Sequence, residues 1–366
     1  MTLFFSSPIG LGHITRDIAI IKEIANLFNY YDFTLITGSK AFDFICTDNY
    51  LSENSKVNFH NLYSPPEFSI DKEGMLKSHF VWLLKYVSYF RKSKGKVKRL
   101  ISASSSGIDR KAYPLIITDE DFASLSVGKD LNIPRILITD ILRTHFIRNG
   151  VFSSIEKYLN NSMCNLIKSS DCVIIPEPGD NHDNLFYVGP IVREIRTTRD
   201  ELRRRFSFSK FTILVTTGGT SAGDYLTKMA LESFTRLQRR YDCDLVVSSF
   251  SSNISPHRKE NESYMNIGFV NNIHEYVYAA DLVVSLAGKS TIDESLVYGT
   301  PGIFIPIKNH FEQEARAKEM GFSYEDINKL DSIMEENLSG FRLKKEKKVS
   351  NGAASAAKLI AEYLNK

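Results

Sequence analysis

Leu3-Phe4-Phe5-Ser6-Ser7-Pro8-Ile9-Gly10-Leu11-Gly12-His13-Ile14-Thr15-Arg16 decides how the chain is read. An apolar run ends at a glycine pair, and apolar residues then recur at helical spacing (Ile14, Ile18, Ile21, Ala25). This is the pattern of a strand, a tight loop and a helix that opens a nucleotide-binding type of domain. Glycine permits the sharp turn and lets a ligand approach backbone N–H groups, while the new helix aims its positive end at the same point. His13 at that helix start is placed to handle a proton near a phosphate-bearing substrate. An ordinary βα turn with a surface histidine is the other reading of the stretch.

The 366 residues suffice for two domains of ordinary size, and 43% hydrophobic content marks a globular chain. No apolar stretch reaches the length of a membrane span. Residues 1–8 lack a basic region and cleavage site, so no signal peptide is expected. Cys46, Cys164, Cys172 and Cys243 are scattered without zinc or redox spacing, which fits reduced thiols and a cytoplasmic protein. A net charge of +3 is too small to argue for nucleic acid. Its positive part is uneven, with Arg91, Lys92, Lys94, Lys96, Lys98 and Arg99 in one block and Arg203, Arg204 and Arg205 in another.

β-rich runs recur between helical stretches. They are Leu3–Ser7, Phe33–Thr37, Val57–Leu62, Leu115–Thr118, Arg135–Thr139 and Cys172–Ile175, then Thr212–Thr216, Leu245–Ser249, Met265–Phe269, Leu282–Ser285 and Gly302–Pro306. Several are continuous Val/Ile/Leu runs, as in parallel strands covered on both faces. Alternation with helical patterns predicts an α/β chain of two doubly wound domains, residues 1–192 and 193–351. The polar segment Arg193–Lys210 reads as the linker, and the alanine-rich C-terminal helix, about 352–366, as packing back onto the first domain. Ligands of such sheets sit beyond the carboxyl ends of the strands, so two facing domains would frame a cleft.

The second half repeats the glycine signal. Thr212–Thr217 runs into Gly218-Gly219-Thr220-Ser221-Ala222-Gly223 and a helix, a turn able to surround a phosphate with N–H groups and hydroxyls. Ala287-Gly288-Lys289-Ser290-Thr291-Ile292-Asp293-Glu294 follows another strand, and His310-Phe311-Glu312-Gln313-Glu314 follows the next. Glu294 could accept from the two hydroxyls of a ribose, and Gln313 could serve a sugar. Capping boxes, Thr291 with Glu294 and Asn309 with Glu312, would explain the same residues.

On these motifs the chain resembles glycosyltransferases of the GT-B fold, two Rossmann-like domains facing a cleft. It is close to the MurG-like family, which adds N-acetylglucosamine to polyprenyl-pyrophosphate lipids and includes a two-subunit eukaryotic enzyme acting on dolichol pyrophosphate. Gly10–His13, Val188–Arg193, Gly218–Thr220, Gly268–Asn272 and Ala287–Gln313 carry the likeness. It departs from the family in its fewer loop glycines and in Glu314, where bacterial members tend to have a second glutamine. The resemblance implies a UDP-sugar, with Gly218, Gly219 and Thr220 at the diphosphate and Val270 beside the uracil. Gly288, Ser290, Thr291 and Glu294 would lie along the nucleotide, and Gln313 would reach the sugar. Gly10, Gly12, Arg16 and Asp140 would line the acceptor side.

An inverting transfer needs a base for the acceptor proton and stabilisation of the departing diphosphate. His13 is the first candidate base because its ordinary pKa lies near neutrality. Asp119-Glu120-Asp121, after the strand Leu115–Thr118, and Asp140, after Arg135–Thr139, are the acidic rivals, with Asp119 and Asp121 foremost. Asp119-x-Asp121 also imitates a metal-binding pair, but no further carboxylates accompany the donor motifs, so metal-independent turnover without a cofactor is expected. Leu76, Phe80, Trp82, Leu83, Leu84, Val87 and Phe90 beside the basic block suggest that residues 75–99 touch an anionic membrane on its cytoplasmic side. A helix covering the sheet explains the same pattern. A UDP-sugar epimerase and a non-catalytic sugar-nucleotide-binding subunit are the competing functions. The missing third glycine and Thr37-Gly38-Ser39 in place of an acidic strand end make a dehydrogenase the least favoured reading.

Overall fold

A computed structural model describes residues 2–28, 32–47, 57–77, 79–104, 115–145, 153–218, 223–248, 263–339 and 349–365. In chain order its elements begin β1 (Thr2–Ser6), α1 (Gly12–Leu27), β2 (Phe33–Gly38), α2 (Ser39–Cys46), β3 (Val57–Tyr63), β4 (Ser69–Ile70) and β5 (Leu76–Lys77). Then come α3 (His79–Ser104), β6 (Ile116–Asp119), α4 (Phe122–Asp130), β7 (Arg135–Ile138), α5 (Ser153–Lys168), β8 (Cys172–Ile175) and β9 (Leu185–Tyr187). The second half runs α6 (Arg199–Arg205), β10 (Phe211–Thr216), α7 (Asp224–Leu237), β11 (Cys243–Ser248), β12 (Tyr264–Asn266), α8 (Ile273–Ala279) and β13 (Leu282–Leu286). It ends with α9 (Lys289–Tyr298), β14 (Gly302–Ile305), α10 (Phe311–Glu319), a 3-10 turn (Tyr324–Lys329), α11 (Leu330–Leu338) and α12 (Ala353–Leu364).

The chain divides into two compact units. The first holds residues 1–68, 78–192 and 351–366; the second holds 69–77 and 193–350. In the first, the parallel sheet has the order β3-β2-β1-β6-β7-β8-β9. Successive residues of β1 serve opposite faces: Phe4 packs with Ile14, Ile18 and Ile21 of α1, whereas Leu3 and Phe5 pack with Val97, Ile101 and Val127. Burial on both faces is why these strands read as continuous apolar runs. Helix α12 lays Ala353, Ala356, Ala357 and Ile360 into the first of these clusters, and Gly352 donates its N–H to Pro190 O at 2.7 Å.

The second unit's sheet, β12-β11-β10-β13-β14, is also parallel. The arginine-rich segment expected as a linker is instead part of this unit. Thr198 and Glu201 form a capping box at the start of α6. Arg199 and Arg203 then clamp Asp281 from two sides at 2.6 and 2.8 Å. The β4–β5 hairpin was not foreseen, nor was β9, because strands of two or three residues carry no readable period. Leu76 donates its N–H to Lys308 O, and Lys308 N–H donates to Gly74 O, which ties the hairpin into the second unit.

Both sheets place a switch in strand order at their centre, between β1 and β6 and between β10 and β13. Chains leaving those paired strands diverge to opposite faces, which opens a crevice at the carboxyl ends. Among the described residues no helix is long and apolar enough to cross a membrane.

Truncating Ile360 to alanine removes a fully buried side chain from the α1–α12 contact. Trp82, the only tryptophan, lies in the same unit, so its fluorescence in a denaturant titration isolates that transition. The expected loss is about 2–5 kcal/mol; a loss near zero would exclude α12 from the core.

Candidate active site

At the first crevice, Gly10 takes φ 77°, a left-handed turn that favours glycine, and delivers the chain into α1. No side chain caps α1, so its leading N–H groups are not taken by a capping residue. His13 and Arg16, one turn apart on α1, face the end of β6. Asp119 is the last residue of that strand and sits in register with Ser6 of β1. Arg16 embraces the Asp119 carboxylate, with Nε at 2.5 Å from one oxygen and Nη2 at 2.5 Å from the other. Its Nη1 reaches Asp140, just beyond β7, at 2.8 Å. His13 Nδ1 stands 2.9 Å from Asp119 Oδ1, and its Nε2 lies 3.7 Å from Glu120 Oε2.

The electrostatics follow from burial. Asp119 has no exposed side-chain surface. Burial opposes its charge, but Arg16 and then His13 outweigh that and hold the carboxyl far below the usual range. Burial likewise opposes the charge on His13, yet Asp119 and then Glu120 overcome it and raise the imidazole to about 9. Glu120 is pushed up to about 8 by burial and by Asp140. Asp17, on the buried side of α1, is driven well above the carboxylate range by burial and by Asp119. Near neutrality the site thus holds a cationic His13 and Arg16 against an ionised Asp119, with Glu120 kept largely neutral.

Asp121, read from sequence as a catalytic rival, is committed elsewhere. Its carboxylate caps α4 by accepting from Ala123 and Ser124 N–H, and it also accepts from the Tyr63 hydroxyl. Glu120, named in the sequence within the acidic stretch of His13's rivals, joins the site.

At the second crevice, Gly218, two residues beyond β10, takes φ 71° and Gly288 precedes α9. A Cβ on either would meet nothing within 4 Å, so the backbone there is open to approach. Gly219 and Thr220 lie outside the described residues. Ser290 and Thr291, in the first turn of α9, are partly exposed. Glu294 is buried inside α9, and Arg193 Nη2 lies 3.5 Å from its Oε1. Arg193 is fixed in turn, since its Nη1 donates to Asn271 O at 2.6 Å and its own carbonyl accepts from Tyr298 Oη at 2.7 Å. Burial raises Glu294 to about 7, and Arg193 only partly offsets it. Val270 follows Gly268, whose φ of 63° and bond to Asn266 Oδ1 form the turn after β12. Gln313 Oε1 accepts from Ile307 N–H at 3.0 Å, which leaves the amide NH2 as the group it can offer.

Neither capping box survives this geometry. Helix α9 starts at Lys289 with Gly288 as its cap, so Glu294 lies too far along to close a box with Thr291. Helix α10 is capped by the His310 ring, which accepts from Gln313 N–H, rather than by Asn309. Among the described residues no cluster of His, Cys, Asp and Glu suits a metal ion.

The segment read as membrane-facing is divided. Leu76 is buried on β5 of the second unit, and Trp82 and Leu83 are buried on α3, whereas Val81 and Leu84 are half exposed.

The NMR titration of His13 tests the assigned charges. Below the ordinary histidine pKa, near 6.5, the interaction with Asp119 contributes fully to stability, and it is lost as pH rises through about 9. The ring should titrate near 9 in the wild type and lower in Asp119→Asn, where the largest charge opposing its burial is gone. An unchanged midpoint in the variant would remove Asp119 as the cause.

Comparison with known proteins agrees with this architecture. Residues 212–363 match the glycosyltransferase family 28 C-terminal domain. An uncharacterized glycosyltransferase of Methanopyrus kandleri is 24% identical over 60% of this chain, and another from Methanosarcina mazei is 26% identical over 47%. The chain spans 64% and 48% of the lengths of those relatives. A UDP-N-acetylglucosamine–N-acetylmuramyl-(pentapeptide) pyrophosphoryl-undecaprenol N-acetylglucosamine transferase of Aquifex aeolicus is 22% identical over 74% of this chain and 77% of its own. Among solved structures, the glycotransferase of kitacinnamycin superposes with a TM-score of 0.63 at 13% identity, covering 99% of this chain and 98% of its own. A transferase from Siraitia grosvenorii in complex with UDP gives 0.61 at 13% identity, covering 100% and 99%. Residues 212–363 are therefore similar to a family 28 C-terminal domain, and the chain has the GT-B fold.

Proposed function

We propose that the protein is an inverting glycosyltransferase that moves N-acetylglucosamine from its UDP conjugate to a polyprenyl-(pyro)phosphate-linked acceptor. The second unit holds the donor and the first presents the acceptor. The observation that carries this reading is the buried His13–Asp119–Arg16 cluster, at the switch point of a sheet in a chain whose other sheet lies in the region similar to the family 28 domain.

His13 is the base in this scheme. Its side chain keeps 19% exposure, while Asp119, Glu120 and Asp140 keep 0%, 8% and 4%, so the imidazole is the group a substrate can touch. Asp119 fixes Nδ1, which leaves Nε2 to accept the acceptor proton as the oxygen attacks the anomeric carbon and UDP departs. Gly218, Gly219 and Thr220 and the first turn of α9 (Gly288, Ser290, Thr291) offer dipoles and hydroxyls to the departing diphosphate, without a metal. Val270 flanks the uracil, Glu294 accepts from the ribose hydroxyls, and Gln313 donates to the sugar. The exposed Val81 and Leu84 beside the basic residues of α3 support visits to the cytoplasmic face of a membrane, where a lipid-linked acceptor would be found.

Two measurements test this. UDP release should require a short polyprenyl-pyrophosphate sugar and persist in chelator. His13→Ala should lower kcat/KM about 10²–10⁴-fold, and the wild-type value should rise about tenfold per pH unit toward pH 9. UDP-sugar consumed without an acceptor would favour an epimerase instead. In calorimetry, UDP affinity should grow as pH rises through about 7, where Glu294 ionises and becomes a better acceptor. Glu294→Gln should abolish that slope; a slope that persists would place the ribose elsewhere.

A further inference from the structure

Helix α3 carries Lys85, Ser88, Tyr89, Lys92, Ser93 and Lys96 on one face, at spacings of three and four residues. That face and the Ser64-Pro65-Pro66 segment just after β3 line an open cavity of about 390 Å³. Both ends of the opposing wall are pinned to the helix. Trp82 Nε1 donates to Pro66 O at 3.3 Å, and Lys96 Nζ donates to Leu62 O at 2.8 Å. Trp82 is itself held between Phe68 and Tyr86, with ring centroids at 4.4 and 5.3 Å. The cavity is therefore built by the fold and is not a chance gap between mobile side chains.

Its chemistry is one-sided. Three lysines and three serines line it, and no carboxylate does. Lys94, on the same helix but outside the cavity, is neutralised by Asp130 at 3.2 Å, whereas Lys85 and Lys92 have no carboxylate partner among the described residues. Converging ammonium groups and hydroxyl donors in a concave site focus positive potential and satisfy a polyanionic oxygen cluster. The geometry points to a binding site for a phosphate or diphosphate group in this cavity, whose lining includes no residue of the His13 cluster. We propose that this group anchors a phosphate-bearing ligand to the first unit, and the proposal stands whether or not the chain transfers a sugar.

The tryptophan beside the cavity supplies the readout. Inorganic pyrophosphate should produce a saturable change in Trp82 emission of the full chain. Lys85→Glu with Lys92→Glu should weaken it at least about tenfold, and Lys85→Gln with Lys92→Gln should weaken it in the same direction with less risk to the fold. Lys98→Glu with Arg99→Glu changes the net charge equally on exposed positions outside the cavity and should leave binding intact. Equal weakening by both glutamate pairs, or no saturable response in the wild type, would overturn the proposal. Phosphatidylglycerol vesicles that displace pyrophosphate, where phosphatidylcholine vesicles do not, would assign the group to a lipid headgroup. Displacement by neither would assign it to a soluble phosphate ester.

Discussion

A carboxylate with no exposed surface, Asp119, governs the first unit. An ion at such depth is tolerated only when its charge and its lone pairs are met, and removing one partner of such a pair costs about 3–5 kcal/mol. Arg16 meets both oxygens and His13 meets one again. These contacts require α1 to start where it does, and therefore require the loop that Gly10 turns. The position of His13 is thus a consequence of electrostatics as much as of the βα geometry. The imidazole's cationic state follows from the same cause, because a fixed neighbouring anion outweighs the cost of burying the ring's charge.

The second unit repeats the device with a weaker grip. Glu294 faces a single guanidinium nitrogen at 3.5 Å, where Asp119 has two at 2.5 Å and an imidazole besides. Burial is common to both carboxyls. The difference in partners decides the sign: Asp119 is held ionised and Glu294 is raised to about 7. A carboxyl poised near neutrality, at a switch point whose glycines leave the backbone open, suits a group that completes its hydrogen bonds only when hydroxyls arrive.

Much of this was legible in the sequence where the physics is local. Apart from β9, the apolar runs located the parallel strands within three residues at their ends, and the glycine turns marked both crevices. The Gly218 turn, Glu294 and Gln313 were read correctly as following successive strands of one sheet, but the local partners of Glu294 and Gln313 were not. Thr291 and Glu294 satisfy the pattern of a capping box, yet the helix begins earlier and Glu294 turns to Arg193, which no local pattern announces. Arg193–Lys210 had the composition of a linker, and only the distant Asp281 makes it part of a folded unit. Asp121 had the residue type of a catalytic acid and serves as a helix cap. In each case a long-range partner decided among local alternatives.

Glu120 shows the limit most clearly. It adopts φ 48°, a left-handed conformation that costs a residue with a Cβ roughly 1 kcal/mol. The contacts that offset this cost come from the next strand: Thr139 Oγ1 and the Asp140 N–H both donate to its Oε1, at 3.0 and 3.1 Å. Held there, its other oxygen stands 3.7 Å from His13 Nε2, the nitrogen left over after Asp119 has claimed Nδ1. Glu120 and His13 are thus raised toward the same pH range within reach of each other, and their protons leave as steps of the pair and not of either residue alone. Strain in a non-glycine residue, maintained by bonds from a neighbouring strand, indicates that the position of this carboxyl matters to the site. It sets the depth of the proton well in which the exposed imidazole works.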